Sequence, residues 1–407
     1  MNLRQPLFVL AIAALAAPAL AQLGLPAPVL PGLPPVGEVL DGPLRSGGDL
    51  LRGTASEVAE RLDFVRSERL DRLLRRNRDT LERDAAGEIA RRGELLLVDP
   101  DAATLSAVGA LGFAVAETGN LDGLDIAFLK LRLPAALSLA AAQRLLAERV
   151  PNAVVASDQL HFQSGGAPRP SRAAASGGAA GIAVPVGLID GAGAQPVSGQ
   201  RGFAKGAPLA SSHGSAVISL AQRAGVRRLY VADVYGSDPA GGNALAIAQG
   251  LGWLVGQGVR VVSISLVGPR NPLVERAIAA AQRRGVTVVA AVGNDGPAAP
   301  PAYPASYPGV IAVSAVDARG RPLIEAGRAL HLDYAAPGAG LRAADKKGKW
   351  QDVRGTSFAA PLVAARAAAA VAAGGAVTAT LDREAQALGR RLPDPQIGRG
   401  VVCGACR

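Results

Sequence analysis

The sequence predicts an α/β chain, a doubly wound, mostly parallel sheet with helices on both faces, preceded by a smaller α+β unit. Three observations carry this. From residue 181 onward, short apolar runs of strand length alternate with segments of helical length. Those runs are continuously apolar, as strands covered on both faces are. Between residues 94 and 158 the order is instead strand, helix, strand, strand, helix, strand, the order of a ferredoxin-like unit.

Taken from the start, Met1-Asn2-Leu3-Arg4 precedes an apolar run over 7–20, and Ala19-Leu20-Ala21 offers a small-residue cleavage site before Gln22. Residues 1–21 therefore read as a secretory signal peptide, too short to span a membrane. The expected location is secreted or periplasmic, with no membrane span. Residues 22–92 read as an irregular Pro- and Gly-rich leader followed by a charged helix. The capping box Thr54-Ala55-Ser56-Glu57 opens that helix, and Val58, Leu62, Val65 and Leu73 share one side of it.

The small unit occupies 93–162. Its strands are expected at 94–98, 113–116, 124–133 and 152–156, with helices from Asp101 to 112 and from Pro134 to about 148. Residues 163–180 are a linker by composition, rich in Gly, Ser, Ala and Pro. The large unit, 181–402, has expected strands at 182–189, 228–234, 259–265 and 286–292, and helices at 213–224, 243–257 and 271–284. Residues 403–407 form a Cys-x-x-Cys tail. In an exported chain Cys403 and Cys406 suit a local disulfide. Zinc would need four ligands, and His161, His213 and His331 stand in unrelated contexts.

Composition narrows the rest. The 407 residues leave room for two or three domains, and at 3% aromatics their cores must be built from Ala, Leu, Val and Ile. The net charge of +10 lies in the second half: residues 181–407 carry 24 basic and 13 acidic side chains, against 19 and 20 before them. The basic residues are scattered without interleaved aromatics, which argues against a nucleic-acid partner.

The candidate chemistry centres on Gly355-Thr356-Ser357-Phe358-Ala359-Ala360-Pro361, followed by an alanine-rich helical run to residue 373. Ser357 is thereby placed at a helix start, where unpaired N–H groups and the helix dipole favour an anion. Pro361 fits as an early-turn proline whose missing donor had no partner. Alone, the motif reads as a helix cap. Three further residues change that. Asp190 closes a strand, His213 opens a helix, and Asn294 follows a strand in Val292-Gly293-Asn294-Asp295. Strand ends and helix starts on one edge of a parallel sheet are where function gathers.

Together these stretches resemble the subtilisin-like serine peptidases, the subtilases, over residues 181–402. Similar to the family are the serine motif at 355–361, the histidine motif His213-Gly214-Ser215-Ala216-Val217 and the asparagine motif Ala291-Val292-Gly293-Asn294. So are the framework stretches Ser263-Ile264-Ser265-Leu266, Tyr303-Pro304-Ala305 and Ala335-Ala336-Pro337-Gly338. The Asp190 motif departs most, with Gly191-Ala192-Gly193 where the family usually has Ser/Thr-Gly. The resemblance implies a subtilisin-like fold and a serine endopeptidase. Asp190, His213 and Ser357 would be its triad, with Asn294 and the Ser357 N–H as oxyanion hole. Substrate would lie extended along Ser265-Leu266-Val267-Gly268. Val267 stands where a glycine is expected, which implies small or medium apolar side chains before the scissile bond.

Residues 94–158 resemble a subtilase propeptide in element order, implying a self-processing precursor inhibited by its own propeptide in cis. Residues 158–162 would then lie in the cleft, with cleavage there or in the linker, His161 being a cleft contact. His331, in an alternating stretch, is expected on a strand surface. Many subtilases bind calcium, yet no stretch here concentrates oxygen ligands, so no cofactor is expected and calcium is not required. Protein or peptide substrates are the expected partners. The alternatives are a catalytically silent subtilase-fold binding module and a hydrolase of esters.

Overall fold

The computed structural model describes residues 55–164, 169–170 and 181–404. The expected signal peptide, the leader up to residue 54, most of the linker and Cys406 lie outside the described residues. Cys403 is disulfide-bonded.

The described chain opens with α1 (Ala55–Arg76), which buries Val58 and Leu70 on one side. It stops well short of residue 92. Asn77 turns its side-chain amide back onto the Leu73 carbonyl, and β1 (Leu81–Arg83) and β2 (Ile89–Val98) follow as an antiparallel pair. The helical expectation fails here because Leu81, Ile89 and Ala90, the residues that turn inward, are few among many charges. Charge density marks a solvated surface and does not separate helix from strand.

The small domain therefore begins near Leu81 and continues with α2 (Ala102–Ala110), β3 (Ala114–Leu121), β4 (Ile126–Arg132), α3 (Leu139–Arg149) and β5 (Val154–Gln159). Side chains of Asp101 and Ser138 cap its two helices. Its antiparallel sheet runs β5-β2-β4-β3, with β1 on β2. Alternation along β2 sends Leu95 and Leu97 into a core with α3. Leu96 and Val98 go the other way, into a core shared with the large domain.

The large domain follows two short strands, β6 (Phe162–Gln163) and β7 (Arg169–Pro170). Its elements are β8 (Val186–Asp190), β9 (Gly199–Gly202), α4 (Ser212–Arg223), β10 (Leu229–Asp233), α5 (Ala244–Gly256), β11 (Val261–Ile264) and β12 (Leu266–Val267). Next come α6 (Pro272–Arg283), β13 (Thr287–Ala291), β14 (Ile311–Val316), β15 (Tyr334–Pro337), β16 (Ala339–Ala344), β17 (Trp350–Arg354), α7 (Thr356–Ala372) and α8 (Val377–Glu384). Seven strands form one parallel sheet in the order β15-β14-β13-β11-β8-β10-β9. Helices α5 and α6 pack on one face and α4 and α7 on the other. This is the doubly wound arrangement that the buried apolar runs predict.

His331 is not on a strand. It precedes β15, and its Nε2 meets the Val310 carbonyl at 2.9 Å. Asp333 beside it accepts the Ala312 N–H, so the alternation at 329–333 belongs to a loop packed on the end of β14.

The two domains meet where the end of β5 reaches the N-termini of α5 and α6. Asp158 accepts the Leu245 N–H at 2.9 Å, and Asn271, the α6 cap, donates to the Ser157 carbonyl at 2.8 Å. A carboxylate at a helix N-terminus also meets the favourable end of the dipole. Gly252 on α5 is a glycine by necessity, because a Cβ there would lie 2.3 Å from the Asp122 carbonyl oxygen. Among the described residues, no helix is long and apolar enough to cross a membrane.

Candidate active site

The C-terminal ends of β8 and β13 and the starts of α4 and α7 converge on one spot. Asp190 ends β8 and is buried. Its Oδ1 receives His213 Nδ1 at 2.9 Å, the Gly191 N–H at 2.6 Å and the Gln163 side-chain amide at 2.9 Å. His213 stands in the first turn of α4, whose cap is Ser211. The unusual Gly191-Ala192-Gly193 stretch now has a packing cause. A Cβ on Gly193 would lie 2.2 Å from Ile218 of α4, and one on Gly214 would lie 2.1 Å from the Gly191 carbonyl. At Gly214 the helix start touches the strand end backbone to backbone, which only glycine allows, whereas Gly193 faces the tip of the Ile218 side chain.

Ser357 is the second residue of α7 and fully buried. Gly355 takes a φ of 141°, a conformation suited to glycine, to turn β17 into the helix. Pro361 lies past the first turn, contrary to the expectation of a harmless position. It removes the N–H that would have bonded the Ser357 carbonyl, four residues back. That carbonyl is instead satisfied by the Ser265 hydroxyl at 3.0 Å. Asn294 is oriented from the same place, because its Oδ1 accepts the Thr356 N–H at 3.0 Å, leaving Nδ2 free to point into the site.

What Nδ2 points at is a carbonyl of the chain itself. The Ser164 carbonyl oxygen accepts the Ser357 N–H at 3.0 Å and the Asn294 amide in a short bond. Upstream, β6 pairs antiparallel with β12, Gln163 opposite Leu266 and Phe162 opposite Val267, and the Ser164 N–H donates to the Ser265 carbonyl at 3.1 Å. The other edge of this segment is held by Gly242, whose carbonyl takes the His161 N–H at 2.8 Å, and by Tyr235, whose hydroxyl donates to the His161 carbonyl at 2.9 Å. Residues 160–164 thus run through the groove as an added strand.

Ser265, Leu266, Val267 and Gly268 all line that strand. Gly268 faces the His161 ring, which is completely buried, and a Cβ there would come within 2.6 Å of it. Val267 lies against the Cα of Gly293, at 3.3 Å from where its Cβ would be. It therefore bridges the 265–268 strand and the turn before Asn294. Two details depart from a poised nucleophile–base pair. The Ser357 hydroxyl bonds the Ser164 hydroxyl at 2.8 Å and the Ser265 carbonyl at 3.2 Å. His213 Nε2 has no hydrogen-bond partner among the described residues, with the Phe358 ring 5.3 Å from the imidazole.

Sequence reasoning missed Ser164, Gln163, Tyr235 and Gly242. Only Ser164 left a signal, as a small residue between a strand-like stretch and Gly165-Gly166. Among the described residues no group of three or more His, Cys, Asp or Glu side chains could hold a metal ion.

Comparison with known proteins points to the same fold. The Subtilase family matches residues 197–386. Subtilisin BL of Lederbergia lenta is 38% identical over 141 residues, which are 34% of this chain and 52% of that protein. Thermitase of Thermoactinomyces vulgaris is 32% identical over 159 residues, 39% of this chain and 55% of that protein. The chain thus spans about half the length of the curated relatives it matches. Among solved structures, fervidolysin from Fervidobacterium pennivorans, a keratinolytic enzyme related to subtilisin, superposes with a TM-score of 0.64 at 18% identity. The superposition covers 79% of this chain and 61% of fervidolysin, a likeness of fold. The match over residues 197–386, the partial relatives and the fold together make the large domain similar to the subtilases, the subtilisin-like serine peptidases.

Proposed function

We propose that this chain is an exported serine endopeptidase, made as a precursor that cuts itself after Ser164. The observation that carries the reading is the Ser164 carbonyl, which accepts from both the Ser357 N–H and the Asn294 amide. Those two donors are where a developing oxyanion would need them. Ser357 Oγ attacks the Ser164 carbonyl carbon and gives its proton to His213 Nε2. Asp190 holds Nδ1 and balances the imidazolium. Collapse breaks the Ser164–Gly165 bond, and the proton passes from His213 to the leaving amine of Gly165. Water then releases the Ser164 carboxylate by the same steps. For this the Ser357 hydroxyl has to turn from Ser164 and Ser265 to His213, a rotation about χ1.

In this reading the small domain is the propeptide and residues 160–164 occupy the subsites of the released enzyme. Val267, lying against Gly293, supports a pocket that takes small or medium side chains at the position of Ser164. The bond from Asp190 to His213 supports this reading over a silent binding module, whose ground lay in the unusual residues after Asp190.

Mass spectrometry of expressed protein tests this directly. The wild type should yield a mature N-terminus at Gly165, Ser357→Ala should remain uncut, and a fluorophosphonate probe should label Ser357. An uncut, unlabelled wild type would refute the reading.

A further inference from the structure

The reading above gives α1 no task, because the groove is already filled by residues 160–164. Yet α1 is the element that covers them. Along one stretch, Leu70, Leu73 and Leu74 pack in a cluster with Leu160, Phe162 and Ala240. Ala240 belongs to the wall that also carries Tyr235 and Gly242. Along the preceding turns, α1 reaches the opposite wall. Arg69 Nη2 lies 3.3 Å from Asp295 Oδ1 and Arg66 Nε 3.7 Å from Asp295 Oδ2. Leu62 covers Gly296, where a Cβ would come within 2.9 Å of its Cδ1. Between the two walls, the Arg69 guanidinium sits over the Phe162 ring at 5.5 Å.

Asp295 and Gly296 directly follow Asn294. We infer that Asp295 and Gly296 form an interaction surface beside the oxyanion site, distinct from the substrate groove, whose occupant is the basic amphipathic helix Ala55–Arg76. The recognition is twofold. A half-buried carboxylate takes two guanidiniums presented three residues apart on one helix face, and a glycine without a side chain takes a leucine. Because the helix touches both walls and the strand between them, it straps the segment into the groove. If cleavage follows Ser164, the strap outlasts it, since no bond in α1 is broken. Activation then requires α1 to detach from Asp295 and Gly296, in addition to release of residues 160–164. That last step rests on the peptidase reading; the docking surface itself does not.

The test uses full-length Ser357→Ala protein, so that no cleavage intervenes, and reads amide hydrogen exchange by mass spectrometry. Combining Arg66→Glu with Arg69→Glu places two carboxylates against Asp295. Exchange of peptides covering 160–164 and 294–296 should quicken at least tenfold, while β8 and β13 stay protected. Adding Asp295→Lys should restore the slow exchange. Unchanged exchange in the double variant overturns the inference. Should β8 and β13 lose protection, showing that the chain has unfolded, Arg69→Gln is measured instead. It should give a smaller acceleration at the same peptides, and none at all would equally overturn the strap. In the Ser357 parent, the double variant should cut at the wild-type rate but show activity on added peptide sooner. A parent that never cuts counts against the peptidase reading alone, because the exchange result stands without it.

Discussion

Two ionisable side chains three residues apart in the docked segment should give opposite responses to pH. Asp158 is buried at the N-terminus of α5. Burial pushes its carboxyl up to about 6, against the Leu245 N–H, Arg91 and Lys130, which favour the charged form, while Glu94 adds to the rise. His161 is buried beside Gly268. Burial pushes its imidazole down to about 4, weakly opposed by the carbonyls of Gln159 and Pro269, neither of which makes a well-formed bond to it. The signs follow from proton counting. Between pH 6.5 and 4 the released segment would bind a proton at His161 that the docked one does not, so acid loosens docking. Between pH 6 and 3.8 the docked segment keeps a proton on Asp158 that the released one has lost, so acid tightens it. From pH 7 to 4.5 the histidine should weaken docking about 60-fold and the aspartate strengthen it about 25-fold. The two effects have opposite sign and similar order, so they largely offset each other. Asp158→Asn should uncover the histidine, and the cut N-terminal piece should dissociate on acidification. His161→Phe should uncover the aspartate, and the piece should be held more tightly in acid. Gel filtration of cut protein across this pH range reads all three. A steep acid release in the wild type, or a flat profile in Asp158→Asn, would refute the reasoning.

Other consequences can be checked separately. Asn294→Ala should lower kcat about 10² to 10³-fold with little change in KM, a magnitude that comes from subtilisin itself. Val267→Gly should remove the bridge to Gly293, and a peptide library should show Phe or Tyr accepted before the cleaved bond, where the parent takes Ala or Ser. Ser265→Ala should cost about 1 to 3 kcal/mol by leaving the buried Ser357 carbonyl without a donor. Pro361→Ala in that background should recover part of the loss by restoring an N–H, as thermal unfolding of Ser357→Ala protein would show. A chelator should leave the thermal midpoint unchanged, since the second half of the chain is poor in acidic residues.

Four of the seven strands of the large sheet, β8, β10, β11 and β13, were legible because they are buried on both faces, whereas β9, β14 and β15 were not anticipated. Runs such as Val186–Asp190 and Thr287–Ala291 admit few readings once helices of regular length separate them. By contrast β16 and β17 were invisible, β16 being mostly Ala and Gly and β17 a mixture of Trp, Gln, Asp, Val and Arg in a separate small sheet. Asp190, His213, Asn294 and Ser357 could be named because the motifs around them resemble those of the subtilases, and each also stands at the end of a predictable element. Their second partners could not. That Ser265 replaces the donor lost at Pro361 depends on the junction of β11 and β12 meeting the start of α7 in space, which no local pattern encodes. Ser164 was missed for a related reason. Its importance lies in which carbonyl reaches the Asn294 amide, and this is set by the register of β6 on β12.

The core shared between the domains would have a further consequence if the proposed cleavage released the small domain. Leu96, Val98, Leu121, Ile126 and Phe128 share one apolar cluster with α5 and α6. At the rim, Arg276 pairs with Asp99 and Arg284 with Asp125. Loss of the small domain would bare the oily side of two helices and strip both arginines of their counterions. What leaves the folding compartment would be a different kind of colloid from what was synthesised. It would be sticky on one side, cationic around the margin, and drawn to acidic or greasy surfaces that the precursor ignores.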